Sequence, residues 1–208
     1  MENYILTSII NKSIRLTLHH IKMKTTPLNK PVTLLAIPGS LRAGSSNHAI
    51  LRYLSTLAPS TIEYSIYDEL VTIPPFDPGL DNDEPPLPVA TLRQLLADAD
   101  GIVICTPEYA FGVPGQLKNM LDWMVSSSSL VDKPVCLITA SSVGENAHAS
   151  LLLTLGALSA NVIEEAALLI PFIRAKMDKE GNITDAVTAQ SLNAAFTAFL
   201  KVISEPAD

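Results

Sequence analysis

The sequence predicts an α/β fold, a doubly wound sheet of five parallel strands with helices on both faces. Short apolar runs rich in β-branched residues alternate five times with segments in which apolar residues recur at helical spacing. Several of these runs are continuously apolar, which is typical of parallel strands that are buried on both faces. The chain has 208 residues and is 48% hydrophobic, which suits one compact domain with a sizeable core.

The predicted elements alternate in order along the chain. Strands are predicted at Val32–Ile37, Thr61–Tyr67, Gly101–Cys105, Pro134–Thr139 and Val162–Ile170. Helices are predicted at Ala49–Leu57, Thr91–Ala99, Gly115–Val125, Asn146–Ser159 and Asp185–Ile203. Five such strands with short connections favour the flavodoxin-like order 2-1-3-4-5, in which ligands bind outside the carboxyl ends of the strands.

The charge of the chain is unevenly distributed. Residues 1–30 carry five Lys and Arg against one Glu, and the rest carries nine against twenty acidic residues. An acidic body is poorly suited to nucleic-acid phosphates, so no nucleic-acid partner is predicted. No apolar stretch approaches the ~18 residues of a membrane span, so no span is predicted. Residues 1–30 are interpreted as a poorly ordered basic extension or a start assigned too early, and residues 31–208 as a single domain.

The cysteines and histidines predict neither a disulfide scaffold nor a metal site. Cys105 and Cys136 lie far apart in apolar runs and form no Cys-x-x-Cys pair, so both are interpreted as core residues of a cytoplasmic protein. His48 and His148 have no acidic partner at the spacing of metal ligands. Both are interpreted as solvated side chains.

The loop after the first strand, GSLRAGSSN, predicts an anion site, because a Gly/Ser-rich loop before a helix directs backbone N–H groups at an anion. Ser45 and Ser46 stand where a nucleoside-triphosphate loop has Lys and Ser/Thr, which argues against ATP or GTP. Hydroxyls at Ser40 and both of these serines, with the guanidinium of Arg42, suit one phosphate monoester instead. The alternative is a plain strand-to-helix turn in which Asn47 is the N-cap.

A second motif follows the third strand and reads TPEYAFGVPGQLKNMLDWM. Pro107 and Pro114 stiffen its ends, while Glu108 and Tyr109 are presented to the cleft. Together, GSLRAGSSN and PEY-x4-P-x2-LKN-x2-DW closely resemble the NAD(P)H-dependent FMN reductase family, which includes bacterial quinone and chromate reductases. The resemblance covers roughly residues 31–170. Two motifs at two strand-to-helix turns of one sheet are a specific signal.

The resemblance implies that the chain binds FMN and uses NADPH or NADH as co-substrate. The FMN phosphate is expected in the first loop, and the edge of the isoalloxazine ring against main-chain atoms of the second. The residues implied to bind the cofactor are Ser40, Arg42, Ser45, Ser46, Asn47, Pro107, Glu108, Tyr109, Ala110 and Ser141. Relatives often have Asn at position 110, and Ala110 is therefore expected to weaken FMN binding or shift its potential.

The resemblance also implies the chemistry. Hydride passes from nicotinamide to flavin N5 and on to an acceptor in a two-electron ping-pong cycle, so no catalytic side chain is assigned. Backbone N–H groups at the start of the Asn146 helix are expected to stabilise the reduced flavin, while Val143 is expected to crowd any position with positive φ. Quinones, flavins, azo dyes and chromate are the implied small-molecule acceptors. The loop Phe76–Pro88 and a neighbouring subunit of a homodimer or homotetramer are expected to shape their pocket.

Two other functions stay open on the sequence alone. A flavodoxin-type electron carrier would bind FMN without oxidising NAD(P)H, although the phosphate loop of flavodoxins has no counterpart of Arg42. A flavin-free adaptor of the same fold is the other alternative, for which Ala110 and the altered loop Ser141–Gly144 leave room. The sequence leaves the choice between NADH and NADPH open, and it names no physiological acceptor.

Overall fold

The computed structural model describes residues 31–42 and 44–204, so the predicted extension 1–30 lies outside the described residues and the domain division stays a prediction. Five parallel strands form one sheet in the order β2-β1-β3-β4-β5, which confirms the predicted order. The strands are β1 (Val32–Pro38), β2 (Ile62–Ile66), β3 (Gly101–Thr106), β4 (Pro134–Ala140) and β5 (Asn161–Ile170). The helices are α1 (Ser46–Leu57), α2 (Leu87–Asp98), α3 (Gly115–Asp122), α4 (Glu145–Ala157) and α5 (Ala186–Ser204).

The core lies on both faces of the sheet. Side chains of β1 alternate between the faces: Leu35 and Ile37 pack with α2, α3 and α4, whereas Leu34 and Ala36 pack with α1 and α5. Burial on both faces explains why the central strands are continuously apolar. A Leu side chain buried this completely contributes about 2 kcal/mol relative to an exposed one.

Both cysteines are core residues, as predicted. Cys105 and Cys136 are unpaired and fully buried among the residues beneath α1 and α5. Burial raises the pKa of the Cys105 thiol to about 12 and raises the pKa of Cys136 as well. Neither thiol is therefore a nucleophile at neutral pH.

The predicted boundaries are correct within about two residues except at three helices. Helix α1 begins at Ser46, three residues before the predicted Ala49. Helix α2 begins at Leu87 rather than Thr91, because Pro86 occupies its N-cap and Pro88 its first turn. Proline suits those positions, where a helix offers no partner for an N–H group. Helix α3 ends at Asp122, three residues before the predicted end.

The long acidic loop before α2 packs against α3 through hydrogen bonds and a ring contact. The Asn119 side chain accepts a hydrogen bond from the Phe76 N–H at 2.7 Å and donates one to the Pro74 carbonyl at 2.9 Å. The indole N–H of Trp123 donates to the same carbonyl at 2.8 Å, and its ring meets Phe76 edge-on with centroids 5.1 Å apart. These contacts determine the path of the loop.

Helix α5 is long and apolar enough, by composition alone, to cross a membrane, and no other helix in the described part of the chain is. The prediction of no span rested on continuous apolar runs, and polar residues interrupt this segment. Leu192, Phe196 and Phe199 of α5 are buried against the sheet, and a core helix of this kind passes the same test.

Candidate functional site

A cavity of about 360 Å³ lies where the loops after β1, β3, β4 and β5 meet, at the carboxyl edge of the sheet. It is lined by Ser40, Arg42, Ser45, Ser46, Asn47, Pro107, Glu108, Tyr109, Ala140, Ser141, Ser142, Phe172, Ile173, Arg174 and Ala175. We call this cavity the cleft. It brings together every residue predicted to bind the cofactor except Ala110.

The first loop approaches β3 so closely that a glycine is needed. The Gly39 N–H donates to the Cys105 carbonyl at 2.8 Å, and a Cβ at this position would lie 2.3 Å from Oγ1 of Thr106. Ser45, not Asn47, is the N-cap of α1, since its side chain accepts a hydrogen bond from the His48 N–H at 3.2 Å. The alternative in which Asn47 caps the helix is therefore wrong.

Asn47 is buried and links three elements. Its amide nitrogen donates to the Ala140 carbonyl at 3.1 Å and lies 3.5 Å from the Cys105 sulfur. The side chain therefore joins the first turn of α1 to the carboxyl ends of β3 and β4. Because its amide N–H is used inside the protein, Asn47 positions the loop that lines the cleft.

One end of the cleft is built for an anion. Arg42 and Arg174 both line it, and within residues 31–42 and 44–204 neither forms an ion pair. The first turn of α1 carries no acidic residue, so the positive end of the helix adds to the two guanidinium charges. The Ser40 and Ser46 hydroxyls add neutral donors. This donor set fits the dianion of a phosphate monoester.

The second loop contains a tight turn at its tip. Tyr109 and Gly112 exchange two backbone hydrogen bonds, each at 3.0 Å, and Ala110 and Phe111 between them have φ of 49° and 60°. Two positive φ values between paired residues are typical of a type I′ turn. Ala110 therefore lies in the turn and is not among the residues that line the cleft, and its contact with the cofactor stays a prediction. An Asn at this position would adopt the left-handed backbone at lower cost.

Tyr109 extends from this turn back toward the first loop. Its hydroxyl lies 3.3 Å from the Ser40 hydroxyl, within hydrogen-bond distance, and its ring remains about half exposed. Phe172 is more exposed and also lines the cleft. The cleft therefore presents two aromatic rings to solvent, close to the anion-binding end and to the loop after β5.

The second and third loops are tied together by Glu108. Its N–H donates to Oγ of Ser141 at 3.0 Å, and its carboxylate Oε2 accepts from the Ala147 N–H at 2.9 Å. The N–H groups at the start of α4 were expected to face the flavin, but one of them already has Glu108 as its partner. The expected crowding at Val143 does not arise, because Gly144 adopts the positive φ, at 118°, instead.

The segment after β5 was missed in the sequence analysis. Phe172, Ile173, Arg174 and Ala175 line the cleft, and the Ile173 N–H donates to the Ser141 carbonyl at 3.2 Å. The topology could have identified this segment. All five parallel strands end at the same edge of the sheet, so the loop after β5 lies near the loops after β1, β3 and β4. Arg174 is the cation of that loop that lines the cleft.

The histidines are not solvated side chains as predicted. His48 Nε2 lies 3.3 Å from the Asp68 carboxylate, which extends from the loop after β2. Nδ1 of His148 lies 2.9 Å from Oγ1 of Thr139, and burial lowers the pKa of His148. Each partner lies on a different element from its histidine, so the spacing within one motif does not reveal it.

The loop Phe76–Pro88 does not line the cleft of its own chain. Asp81 in this loop forms an ion pair with Arg93 at 2.7 Å, and the two residues line a polar cavity of about 680 Å³. Ala97 near the end of α2 and Lys133 just before β4 line it too, which places this larger cavity at the amino edge of the sheet. A role of the loop in an acceptor pocket therefore stays a prediction that requires a neighbouring subunit.

Comparison with known proteins agrees with this geometry. Residues 32–175 match the family described as NADPH-dependent FMN reductase, a span that runs from β1 to the last residue lining the cleft. The chain belongs to this family. The NADPH-dependent FMN reductase match includes all four loops of the cleft, and so the predictions of an NAD(P)H-dependent flavin oxidoreductase, of FMN as cofactor and of NADPH or NADH as co-substrate are confirmed.

Individual proteins that this chain resembles are named for related activities. The quinone reductase of Escherichia coli (strain K12) is 32% identical over 179 residues, covering 83% of this chain and 95% of that protein. An NADPH azoreductase of Bacillus sp. (strain OY1-2) is 32% identical over 139 residues, covering 65% and 75%. The solved structure of FerB, a flavoenzyme NAD(P)H:(acceptor) oxidoreductase from Paracoccus denitrificans, is 28% identical with a TM-score of 0.70, covering 83% and 97%.

Proposed function

We propose that the cleft holds FMN with its phosphate at the Arg42 and Arg174 end, and that the holoenzyme reduces small planar acceptors with NAD(P)H. The observation that carries the proposal is the anion-binding end itself. Two guanidinium groups flank a helix N-terminus that has no acidic residue in its first turn. Bound FMN supplies the hydride-transfer chemistry that no side chain in the cleft offers.

The opposite end of the cleft suits the ring system of the cofactor. Pro107, Glu108 and Ser141 line the cleft, and the Glu108 carboxylate is already engaged by the Ala147 N–H. Main-chain donors and acceptors can match the polar edge of a flavin without a charged side chain beside it. Of the predicted cofactor residues, the proposal retains Ser40, Arg42, Ser45, Ser46, Asn47, Pro107, Glu108, Tyr109 and Ser141, adds Arg174 and leaves out Ala110.

The acceptor class follows from the exposed aromatic rings. Tyr109 and Phe172 offer flat apolar surfaces at the cleft, which favour planar molecules such as quinones, flavins and azo compounds. The names of the Escherichia coli and Bacillus relatives support the same range. Chromate is included in the proposal as a further acceptor. Because dinucleotide and acceptor would use the same opening, they bind in turn, which is a ping-pong order.

Assembly and location complete the proposal. Leu153 of α4 and Val125 just after α3 are large, apolar and mostly exposed, which supports association into a homodimer or homotetramer. The two unpaired buried thiols are consistent with a reducing cytoplasm. Light scattering coupled to size exclusion measures the assembly directly, and a monomer at micromolar concentration would contradict it.

The test is the visible spectrum of the purified protein, followed by anaerobic addition of NADPH and then of a quinone. We expect flavin absorption that NADPH bleaches and the quinone restores. A yellow protein that NADPH cannot bleach would indicate an electron carrier. A colourless protein that fails to take up FMN would refute the proposal.

Variants test the assignment of the anion-binding end. We expect Arg42→Ala and Arg174→Ala each to raise the Kd for FMN about tenfold, since one charge-assisted hydrogen bond contributes about 1.5 kcal/mol. The matched control Lys118→Ala removes a cation that pairs with Asp122 on α3, outside the cleft lining. Equal FMN affinity in all three variants would show that the FMN phosphate does not bind at this end of the cleft.

A further inference from the structure

A second cavity, of about 680 Å³, shares lining residues with the anion-binding end of the cleft. Arg42, Ser46 and Arg174 line both. Beyond them the second cavity is lined by Arg52 of α1 and by a hairpin after β5. This hairpin is closed by an antiparallel bridge between Met177 and Ile183, and it includes Lys179. We call this second cavity the basic pocket.

Positive charge is concentrated in the basic pocket. Residues 31–208 carry nine Lys and Arg against twenty Asp and Glu. Four of the nine line this one cavity: Arg42, Arg52, Arg174 and Lys179. Within the described ranges, none of the four forms an ion pair with a carboxylate. Such a concentration in an acidic body indicates a site for an anion.

Two carboxylates also line the basic pocket, Asp178 and Glu180. The Asp178 carboxylate is directed into its own hairpin, where it accepts hydrogen bonds from the Asn182 N–H at 2.7 Å and from the Asn182 amide at 2.8 Å. The lining therefore retains an excess of positive charge. Glu180 also belongs to the hairpin, which packs on α1 through Gly181 and Ala49.

The cations exceed what FMN requires. The FMN phosphate is a single dianion, and the proposed end of the cleft already offers it two guanidinium groups and the N-terminus of α1. Arg52 and Lys179 do not line the cleft, so they are available to another anion beside it. Of the reactants, the reduced dinucleotide carries additional phosphates, and NADPH differs from NADH by one of them.

We propose that the basic pocket binds the ribose 2′-phosphate of NADPH through Arg52 and Lys179, so that the enzyme prefers NADPH to NADH. This inference rests on the proposed function, because it assumes that the nicotinamide reacts in the adjoining cleft. A dinucleotide bound along the cleft would place its adenosine half in the basic pocket. NADH offers no phosphate at that position and leaves the two cations unpaired.

The first test compares the two dinucleotides on the FMN-loaded enzyme. We expect a KM for NADPH at least tenfold below that for NADH. The double variant Arg52→Gln/Lys179→Gln should raise the KM for NADPH tenfold or more while kcat, the KM for NADH and the FMN content stay unchanged. The control Lys118→Gln/Lys201→Gln also removes two cations, neither of which lines the pocket, and should change neither KM.

The second test does not depend on turnover. Calorimetric titration with 2′,5′-ADP should show binding to the wild-type protein that the double variant loses, whereas 5′-AMP should bind weakly to both. Equal KM values for NADPH and NADH, or equal losses in the double variant, would overturn the inference, as would failure of 2′,5′-ADP to bind. If neither dinucleotide bleaches the flavin, the proposed function fails, and pocket-dependent binding of 2′,5′-ADP would still support the phosphate site.

Discussion

The carboxylate of Glu108 accepts the Ala147 N–H at 2.9 Å and thereby caps helix α4 from a different loop. The helix has no side-chain cap of its own, because its N-cap is Gly144. A carboxylate is well suited to the positive end of a helix. Glu108 therefore stabilises the start of α4 and also lines the cleft. Loss of this cap is expected to change both the stability of the protein and the shape of the cleft.

Replacing this cap should destabilise the protein measurably. We expect Glu108→Ala to lower the free energy of unfolding by about 1 kcal/mol, the typical cost of losing a helix cap. Glu108→Gln retains an oxygen acceptor and should lose less. Urea unfolding of the flavin-free protein measures both values, and an unchanged midpoint in the alanine variant would contradict the capping role.

The turn at Ala110 stores backbone strain that substitution should relieve. Ala110 has a φ of 49°, and left-handed backbone costs an L-residue about 1–2 kcal/mol. We expect Ala110→Asn to raise the free energy of unfolding by about 0.5–1 kcal/mol, because Asn tolerates this region. Ala110→Val should lower it, since a β-branched side chain fits the turn worse. Thermal denaturation distinguishes them, and the same sign for both variants would refute the strain argument.

His148 should make stability depend on pH. Burial lowers its pKa in the folded protein below the ordinary 6.5, so between the two values the unfolded chain binds more protons. His148 therefore does not reduce the free energy of unfolding above about pH 6.5. Below that pH the free energy of unfolding decreases as the pH falls toward the folded-state pKa of His148. We expect the free energy of unfolding to fall more steeply from pH 7.5 to 5 in the wild type than in His148→Gln. If the free energy of unfolding of the two proteins changed equally with pH, burial of the His148 ring would not make stability depend on pH.

The loop before α2 should be released by a change at Asn119. Asn119→Ala removes one bond to Phe76 and one to Pro74, at about 1 kcal/mol for each bond, and leaves the Phe76 N–H without this partner. We expect a loss of about 2–3 kcal/mol in unfolding free energy and faster proteolysis within residues 76–86. Trp123→Phe keeps the ring contact and loses only one of the two bonds to Pro74, so its effect should be smaller. Equal protease resistance in both variants would argue against this anchor.

The sequence alone determined the sheet, its strand order and three of the four loops of the cleft. These features are local: an apolar run of six residues identifies a buried strand, and GSLRAGSSN and PEY lie within a few residues of the strands that position them. Parallel topology then brings the carboxyl ends of neighbouring strands to one edge. Ala110 was assigned from its position in the motif, and only the structure shows that it lies in a tight turn and not among the residues that line the cleft.

Only the tertiary structure decided which side chains meet across the loops. Glu108 caps a helix that begins almost forty residues later in the chain, and Arg174 approaches the first loop from the far end of the sheet order. The basic pocket joins Arg52 on α1 to Lys179 in the last hairpin. No spacing rule connects residues so distant in sequence. Their proximity follows from packing α1 and the segment after β5 on the same side of one closed core.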